Sequence, residues 1–182
     1  AEAASADVTG LAGAGNAFGF ALYRELAKAQ GNVVVSPYSA SGAFALLYPG
    51  ADGAARAEIG RVLGFAAVDA GAFPAAMGTL NRQVTSETAE ARFAVANAAW
   101  VAEAYALSPG YRDMIAGGLG AQIAPVNFVD AAAAARTINT WVEAQTNDRI
   151  KELVKADMFS DATRLVLTNA VWFKADWAQP FD

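Results

Sequence analysis

The sequence predicts an α+β protein, because helical and strand-like segments both occur along the chain. Helical spacing is clear near the start, where Phe18, Leu22 and Leu26 recur every four residues. Strand character is clearest at residues 163–177, TRLVLTNAVWFKADW, whose two alternating sides are both mostly apolar. No linker, internal repeat or low-complexity segment separates these regions, so residues 1–182 are expected to belong to a single domain.

The composition indicates a folded protein with a substantial core. Hydrophobic residues make up 55% of the 182 residues and charged residues 17%, which excludes disorder as the main state. No apolar run reaches the roughly 18–20 residues that a membrane-spanning helix needs, so no membrane partner is expected. The net charge of −5 argues against nucleic acid or a heparin-like polyanion as a partner, because both bind basic surfaces.

The chain contains neither cysteine nor histidine, which removes most catalytic and metal-binding chemistry. Thiol nucleophiles, Ser-His-Asp triads, disulfides and zinc sites built from thiolate or imidazole are all excluded. An enzyme that uses paired carboxylates is the remaining alternative. Its best candidates, Glu143 with Asp148 and Glu152 with Asp157, are spaced across solvated faces. The protein is therefore predicted not to be an enzyme, with no catalytic, cofactor-binding or metal residue.

The first third of the chain is predicted to be mainly helical. Residues 1–14 carry little pattern and predict an irregular lead-in. The opening AEAASADVTG, residues 1–10, is small and polar and is similar to the end left by signal-peptide removal, so a secreted location, extracellular or periplasmic, is expected. A helix is predicted over residues 15–30 and a short strand over 32–35. Ser36 and Pro37 then begin a helix that is apolar almost all round and is expected to be buried on every side.

Further elements follow in alternation, and their boundaries come from caps and turn residues. Helices are predicted after Asp52, over 73–86, after Ser108, and after Asp130 as far as residue 148, with the segment RIKELVKADMF following. Strands are predicted over 91–104, 121–128 and 163–177, the second at a sheet edge because Pro125 cannot donate to a ladder. The third is expected to be a central strand covered on both faces.

Asn169 is the unusual residue of the third strand, since it is polar in the middle of an apolar run. A buried amide without partners costs on the order of 1–3 kcal/mol. The sequence therefore predicts that Asn169 lies in a fixed hydrogen-bond network.

Four motifs in the same order resemble the serpin family over nearly the whole chain. They are the segment NVVVSPYSAS with its apolar helix, GADGAARAEIGRVLGF, INTWVEAQTNDRIKELV and LVLTNAVWFKADWAQPF. The chain is similar to the N-terminal half of a serpin domain, and its alanine-rich, cysteine-free composition favours a bacterial member. The resemblance implies a fold in which helices pack around a large mixed main sheet, and it places strands 91–104, 121–128 and 163–175 in that sheet.

The resemblance also implies an activity, which is suicide inhibition of a serine protease. In the family an exposed bait loop is cleaved and then inserts as an extra strand into a metastable main sheet. The bait loop belongs to the C-terminal half, so the expected partners are a target serine protease and a complementary C-terminal part. The alternatives are a non-inhibitory carrier or chaperone-like binder, and an inactive fragment that associates through its exposed strand. Without the complementary part, the chain is expected to aggregate and to inhibit nothing.

The resemblance assigns residues to three conformational sites, and no cofactor to any of them. The shutter, where the sheet opens, corresponds to Ser36, Pro37, Ser39 and Asn169, and the serines of the second helix are the expected partners of Asn169. The breach, where loop insertion begins, corresponds to Trp177. The helix that crosses the sheet corresponds to the segment containing Asn139, Trp141, Val142 and Thr146.

Overall fold

The computed structural model describes residues 2–87, 91–177 and 179, and it has the predicted α+β architecture. Its helices are α1 (Glu2–Leu26), α2 (Pro37–Leu47), α3 (Gly53–Leu63), α4 (Phe73–Val84), α5 (Pro109–Asp113) and α6 (Ala131–Gln145). Its strands are β1 (Ser86–Glu87), β2 (Ala91–Ala102), β3 (Gln122–Val126) and β4 (Leu165–Ala175). A π-helical turn, Met114–Gly118, continues α5. No helix in the described ranges is long and apolar enough to cross a membrane.

Three helices begin at side-chain caps that the sequence predicted. The hydroxyl of Ser36 accepts a hydrogen bond from the backbone of α2, and Asp52 and Asp130 do the same for α3 and α6. These caps satisfy backbone N–H groups that have no partner within the helix. Gly64 ends α3 in the left-handed conformation, with φ of 71°, which glycine adopts without steric cost.

The sheet is mixed and is built around β2. β4 runs antiparallel to β2 along almost its whole length, from Ala91 opposite Ala175 to Val101 opposite Leu165. On the other side of β2, β3 pairs in parallel and β1 pairs antiparallel. β3 pairs only with β2 among the described strands, so the edge position predicted from Pro125 is confirmed.

For the described part of the chain, the predicted central position of the strand at residues 163–177 is wrong, but the predicted coverage of both faces holds over its first half. Leu165 and Leu167 pack on one face of the sheet, and Val166 and Ala170 pack on the other. β4 has β2 on one side, and none of the described strands pairs with its other side. Only Thr168 and Ala170 of β4 are buried, and Phe173 is 64% exposed. The apolar pattern predicts coverage of the two faces, but it does not say whether a strand has one neighbour or two.

The two faces of the sheet carry different helices. On one face, the first core cluster packs the four helices α1, α2, α3 and α4, and the turn after α5, against the sheet. Its buried side chains include Leu11, Leu46, Met77 and Ile115. The second cluster packs α6 on the opposite face, through Ala134, Ala135, Ile138 and Val142. Alternation along β2 divides the two, since Ala99 faces the first cluster and Ala98 and Trp100 face the second.

Four local predictions differ from the structure. α1 begins at Glu2 instead of residue 15, because Val8 and Leu11 are buried and extend the packed face of the helix. Residues 32–35 form no strand, since none of the described segments pairs with them, and Val34 is 97% exposed. α2 is exposed at Phe44 and Leu47 instead of being buried all round. α6 ends at Gln145, and the next residues turn through left-handed conformations at positions 147 and 148.

Candidate functional site

A hydrogen-bonded polar cluster joins α2 to the sheet. It consists of Ser39 on α2, Asn169 on β4 and Asn97 on β2, and we call it the α2 polar cluster. The Ser39 hydroxyl donates to Oδ1 of Asn169 at 2.5 Å, and Nδ2 of Asn169 donates to Oδ1 of Asn97 at 2.8 Å. Asn97 and Asn169 stand directly opposite each other in the antiparallel register. The predicted network at Asn169, with a serine of the second helix as partner, is therefore present.

Gly42 makes this contact possible because it lies one turn along α2 from Ser39. A Cβ atom at position 42 would be 2.6 Å from Nδ2 of Asn169, closer than real Cβ atoms approach other heavy atoms. Glycine lets the amide of Asn169 lie directly against the helix backbone. Neither Gly42 nor Asn97 was singled out from the sequence. The available signals were a glycine inside an apolar helix and a lone amide within the strand segment AVANAAW.

Gly42→Ala is expected to destabilise the protein by about 1–2 kcal/mol, although alanine is the better helix former by roughly 0.5–1 kcal/mol. The added methyl group displaces Asn169, whose two hydrogen bonds fix its position. Gly13→Ala in α1 is the matched control, because a Cβ there meets nothing within 4 Å and should stabilise the helix. Urea unfolding of both variants measures the difference. Equal stabilisation by both substitutions would contradict the close contact at Gly42.

Ser36 and Pro37 lie at the start of α2 and do not contact Asn169 through any described hydrogen bond. The Ser36 hydroxyl accepts from the backbone N–H of Ser39 at 3.2 Å, so it fixes the residue that donates to Asn169. Pro37 packs closely on α1, where a Cβ at Gly19 would lie 3.1 Å from its ring. The structure brings Ser39 and Asn169 together and gives Ser36 and Pro37 positions that orient α2. The shutter role of all four stays a prediction.

Tyr38 fastens α2 on the side next to the cluster. Its hydroxyl donates to Oδ1 of Asn81 on α4 at 2.5 Å, and its ring packs edge-on against Phe93 of β2 at 6.0 Å between centroids. Burial raises the pKa of Tyr38 to about 12, so the hydroxyl stays protonated and remains a donor at physiological pH. Polar contacts therefore fix α2 both to the sheet and to a neighbouring helix.

On the opposite face, Asn139 and Thr146 fasten α6 to the segment that returns to β4. Nδ2 of Asn139 donates to the carbonyl of Val154 at 2.8 Å, and its Oδ1 accepts the N–H groups of Leu153 and Val154 at 2.9 and 3.0 Å. Thr146 is buried, and its hydroxyl oxygen accepts the N–H of Ile150 at 3.1 Å. These two side chains tie α6 to residues 150–154.

Trp141 and Val142 hold α6 against the sheet. The Trp141 ring meets Trp100 of β2 edge-on, with centroids 5.5 Å apart, and its Nε1 donates to Oε1 of Gln122 on β3 at 2.8 Å. Trp100 in turn donates from Nε1 to the hydroxyl of Thr168 on β4 at 3.0 Å. Val142 is fully buried. All four residues predicted for the sheet-crossing helix therefore belong to its contacts, and helix movement during function stays a prediction.

Trp177 lies two residues beyond the end of β4 and is 72% exposed. The structure places it apart from the α2 polar cluster, toward the opposite end of β4 from Leu165. Its assignment to the breach stays a prediction. Most of the remaining segment, residues 178 and 180–182, lies outside the described residues.

The chemistry of the α2 polar cluster is that of a hydrogen-bonded lock. A hydroxyl and two amides exchange hydrogen-bond partners readily but carry no charge and supply no general base at neutral pH. No group of three or more side chains suited to a metal ion occurs in the described ranges. The arrangement ties β4 and β2 to α2, so displacement of either strand breaks at least one hydrogen bond of the cluster.

Comparisons with known proteins identify the family. Residues 13–182 match the family model described as "Serpin (serine protease inhibitor)". An uncharacterized serpin-like protein of the archaeon Methanosarcina acetivorans is 34% identical over 177 residues, which are 94% of this chain and 42% of that protein. The leukocyte elastase inhibitor of Xenopus tropicalis is 34% identical over 168 residues, which are 90% of this chain and 44% of the inhibitor.

The same relationship appears among solved structures. A structure titled "Cleaved Serpin 42Da (C 2 2 21)" matches with a TM-score of 0.86 at 28% sequence identity. The match covers 97% of this chain and 47% of the chain in that structure. The chain spans less than half the length of the relatives that it matches. These relatives are archaeal and eukaryotic, so a bacterial origin stays a prediction.

Proposed function

Because the chain belongs to the serpin family, we propose that it is part of a serine protease inhibitor that acts as a suicide substrate. The family is one of protease inhibitors and not of enzymes. The matched protein from Xenopus tropicalis is named as an inhibitor of leukocyte elastase, and this target is stated for that protein alone. For this chain, the proposal is limited to a serine protease of unspecified sequence preference.

The observation that carries the proposal is the outer edge of β4. Its backbone N–H and C=O groups on that side pair with none of the described strands, although β4 is eleven residues long and mostly apolar. An unpaired edge of this kind is a template for the addition of a strand. In the natural-length protein, strands of the C-terminal part would complete this edge, and a cleaved bait loop that inserts beside β4 would be one of them. Its addition would supply the free energy that traps the protease.

We propose that residues 1–182 form the N-terminal part of one domain whose C-terminal part carries the bait loop. The support is the coverage, since nearly all of this chain aligns to 42–44% of its relatives. The intact mass of the protein purified from its natural source, under denaturing conditions, tests this. One species of about twice 18.8 kDa, or two species of similar size that purify together, is expected. A lone species of 18.8 kDa would contradict the proposal.

The inhibitory function is tested with the protein expressed at its natural length. It is incubated with trypsin-like, chymotrypsin-like and elastase-like serine proteases, and residual activity is followed over time. We expect progressive, irreversible loss of activity of at least one protease at close to equimolar inhibitor. A carrier or chaperone-like serpin would be cleaved or ignored and would leave all the proteases active.

We also propose that the protein works outside the cytoplasm, in the extracellular space or the periplasm. The support is the small, polar composition of the segment AEAASADVTG, residues 1–10. Fractionation of the natural host, followed by immunodetection, tests the location. Detection only in the cytoplasmic fraction would overturn it.

A further inference from the structure

Lys174 is the single charged residue of β4, whose sequence is LVLTNAVWFKA. It is exposed and stands next to last in the strand, at the end opposite Leu165. Because side chains alternate along a strand, Lys174 is on the same face of the sheet as Ala170, which packs in the second core cluster beneath α6. A strand that adds to the outer edge of β4 therefore meets a mostly apolar strand with one positive charge near its end.

The backbone register places a second basic residue beside this charge. Arg92 of β2 stands directly opposite Lys174, and Glu87 of β1 is the register partner of Arg92 on its other side. The row therefore runs from Glu87 through Arg92 to Lys174, and then reaches the edge that pairs with none of the described strands. Opposite charges at facing positions stabilise a sheet, whereas like charges destabilise it. The residue type that continues this row favourably is acidic.

Lys174 has no acidic partner within the described part of the chain. The lysines that form ion pairs there are Lys28 and Lys151. Asp176 is close in sequence, but it lies beyond the end of β4 and forms no ion pair with Lys174. Arg92 takes part in an interaction of its own. Since the whole chain has a net charge of −5, a basic residue left without a partner at this edge is opposite in sign to the protein's overall charge.

A lysine on an edge strand is commonly a protection against pairing with unwanted strands. That role and the selection of one wanted strand use the same charge. The β4 edge of a second copy brings only further positive charge, because Lys174 is the one charged residue of the strand. An added strand with a carboxylate at the facing position gains an ion pair instead. Discrimination of this kind, by attraction of one partner and repulsion of others, is how charge gives specificity.

We propose that Lys174 determines which strand β4 accepts, and that the inserted bait strand carries an aspartate or glutamate directly opposite it. This inference rests on the proposed inhibitory function and adds the chemistry that the edge recognises. The apolar part of β4 supplies contact area to any added strand, and Lys174 fixes the register of the acidic one. A one-residue slip would turn the carboxylate to the other face of the sheet, away from the lysine.

The test measures binding of synthetic peptides to the natural-length protein at low salt, by fluorescence polarisation. The parent peptide has the sequence of the protein's own bait segment, and in each further peptide one acidic residue is replaced by its amide. We expect one of these replacements to weaken binding by about two- to fivefold, the usual effect of one facing charge pair. High salt should remove the difference, because the pair is exposed and is screened.

Two protein variants assign the effect to Lys174. In Lys174→Gln, the parent peptide and its amide counterpart should bind equally, since the charge that distinguishes them is gone. Lys155→Gln is the matched control, because Lys155 is exposed on the segment between α6 and β4 and should leave the difference unchanged.

The outcomes separate this inference from the inhibitory function itself. Equal binding of all the peptides, or the same difference in Lys174→Gln as in the parent protein, overturns the role of Lys174 and leaves strand addition intact. A bait segment without an acidic residue overturns it before any binding is measured. A protein that binds none of the peptides overturns both this role and the proposed addition of a strand to β4.

Discussion

Trp100→Ala is expected to lower the free energy of unfolding by about 3–5 kcal/mol, the usual cost of truncating a large buried aromatic side chain. Trp100 is 2% exposed and lies where three elements meet. Its ring packs against Trp141 of α6, and its Nε1 donates to Thr168 of β4. The substitution therefore opens a cavity between the sheet and α6 and leaves the Thr168 hydroxyl without its donor.

The companion variant Trp100→Phe retains an aromatic ring against Trp141 but loses the hydrogen bond. Its expected cost is smaller, about 1–2 kcal/mol, because only the polar contact and part of the volume are removed. Both values come from denaturant unfolding of the natural-length protein. Costs below about 1 kcal/mol for both variants would contradict the placement of α6 on this face of the sheet.

Asn169→Ala has the second large expected effect, a loss of about 2–4 kcal/mol of unfolding free energy. The substitution removes both hydrogen bonds of Asn169 and leaves the buried amide of Asn97 and the hydroxyl of Ser39 without their partner. At the contact between α2 and β4, the new alanine then offers only a methyl group, and the polar groups of Ser39 and Asn97 that face it have no hydrogen-bond partner. We expect a lower thermal midpoint, and also faster polymer formation, because β4 is held less firmly.

Asn32→Ala is the matched control for this effect. Asn32 is exposed, so its replacement should change the unfolding free energy by less than about 0.5 kcal/mol. Thermal unfolding and size-exclusion chromatography after mild heating provide the two readouts. If Asn169→Ala leaves both the thermal midpoint and the polymer fraction unchanged, the α2 polar cluster does not hold the sheet.

The network at Asn169 could be predicted because its cause is local. A single amide within LVLTNAVWF needs a hydrogen-bond partner if the strand is buried. The resemblance to the serpin family indicated the serines of SPYSAS as that partner. The second partner, Asn97, could not be assigned in the same way. It becomes a partner only through the antiparallel register of β2 with β4, which joins residues 72 positions apart.

The incorrect predictions have a common origin in pairing and packing between distant segments. VVV at residues 33–35 has strand propensity, but a strand forms only when another segment supplies hydrogen bonds. Residues 2–14 have weak helical periodicity, yet Val8 and Leu11 gain burial against the rest of the core and extend α1.

The most direct test of the central claim is the thermal midpoint of the natural-length protein before and after limited proteolysis at the proposed bait loop. The claim is that the sheet is metastable and accepts an additional strand in the neighbourhood of β4. Insertion adds backbone hydrogen bonds and buries apolar surface, so we expect the cleaved protein to unfold at a clearly higher temperature. An unchanged or lower midpoint after a single cleavage would contradict strand insertion and with it the proposed inhibitory mechanism.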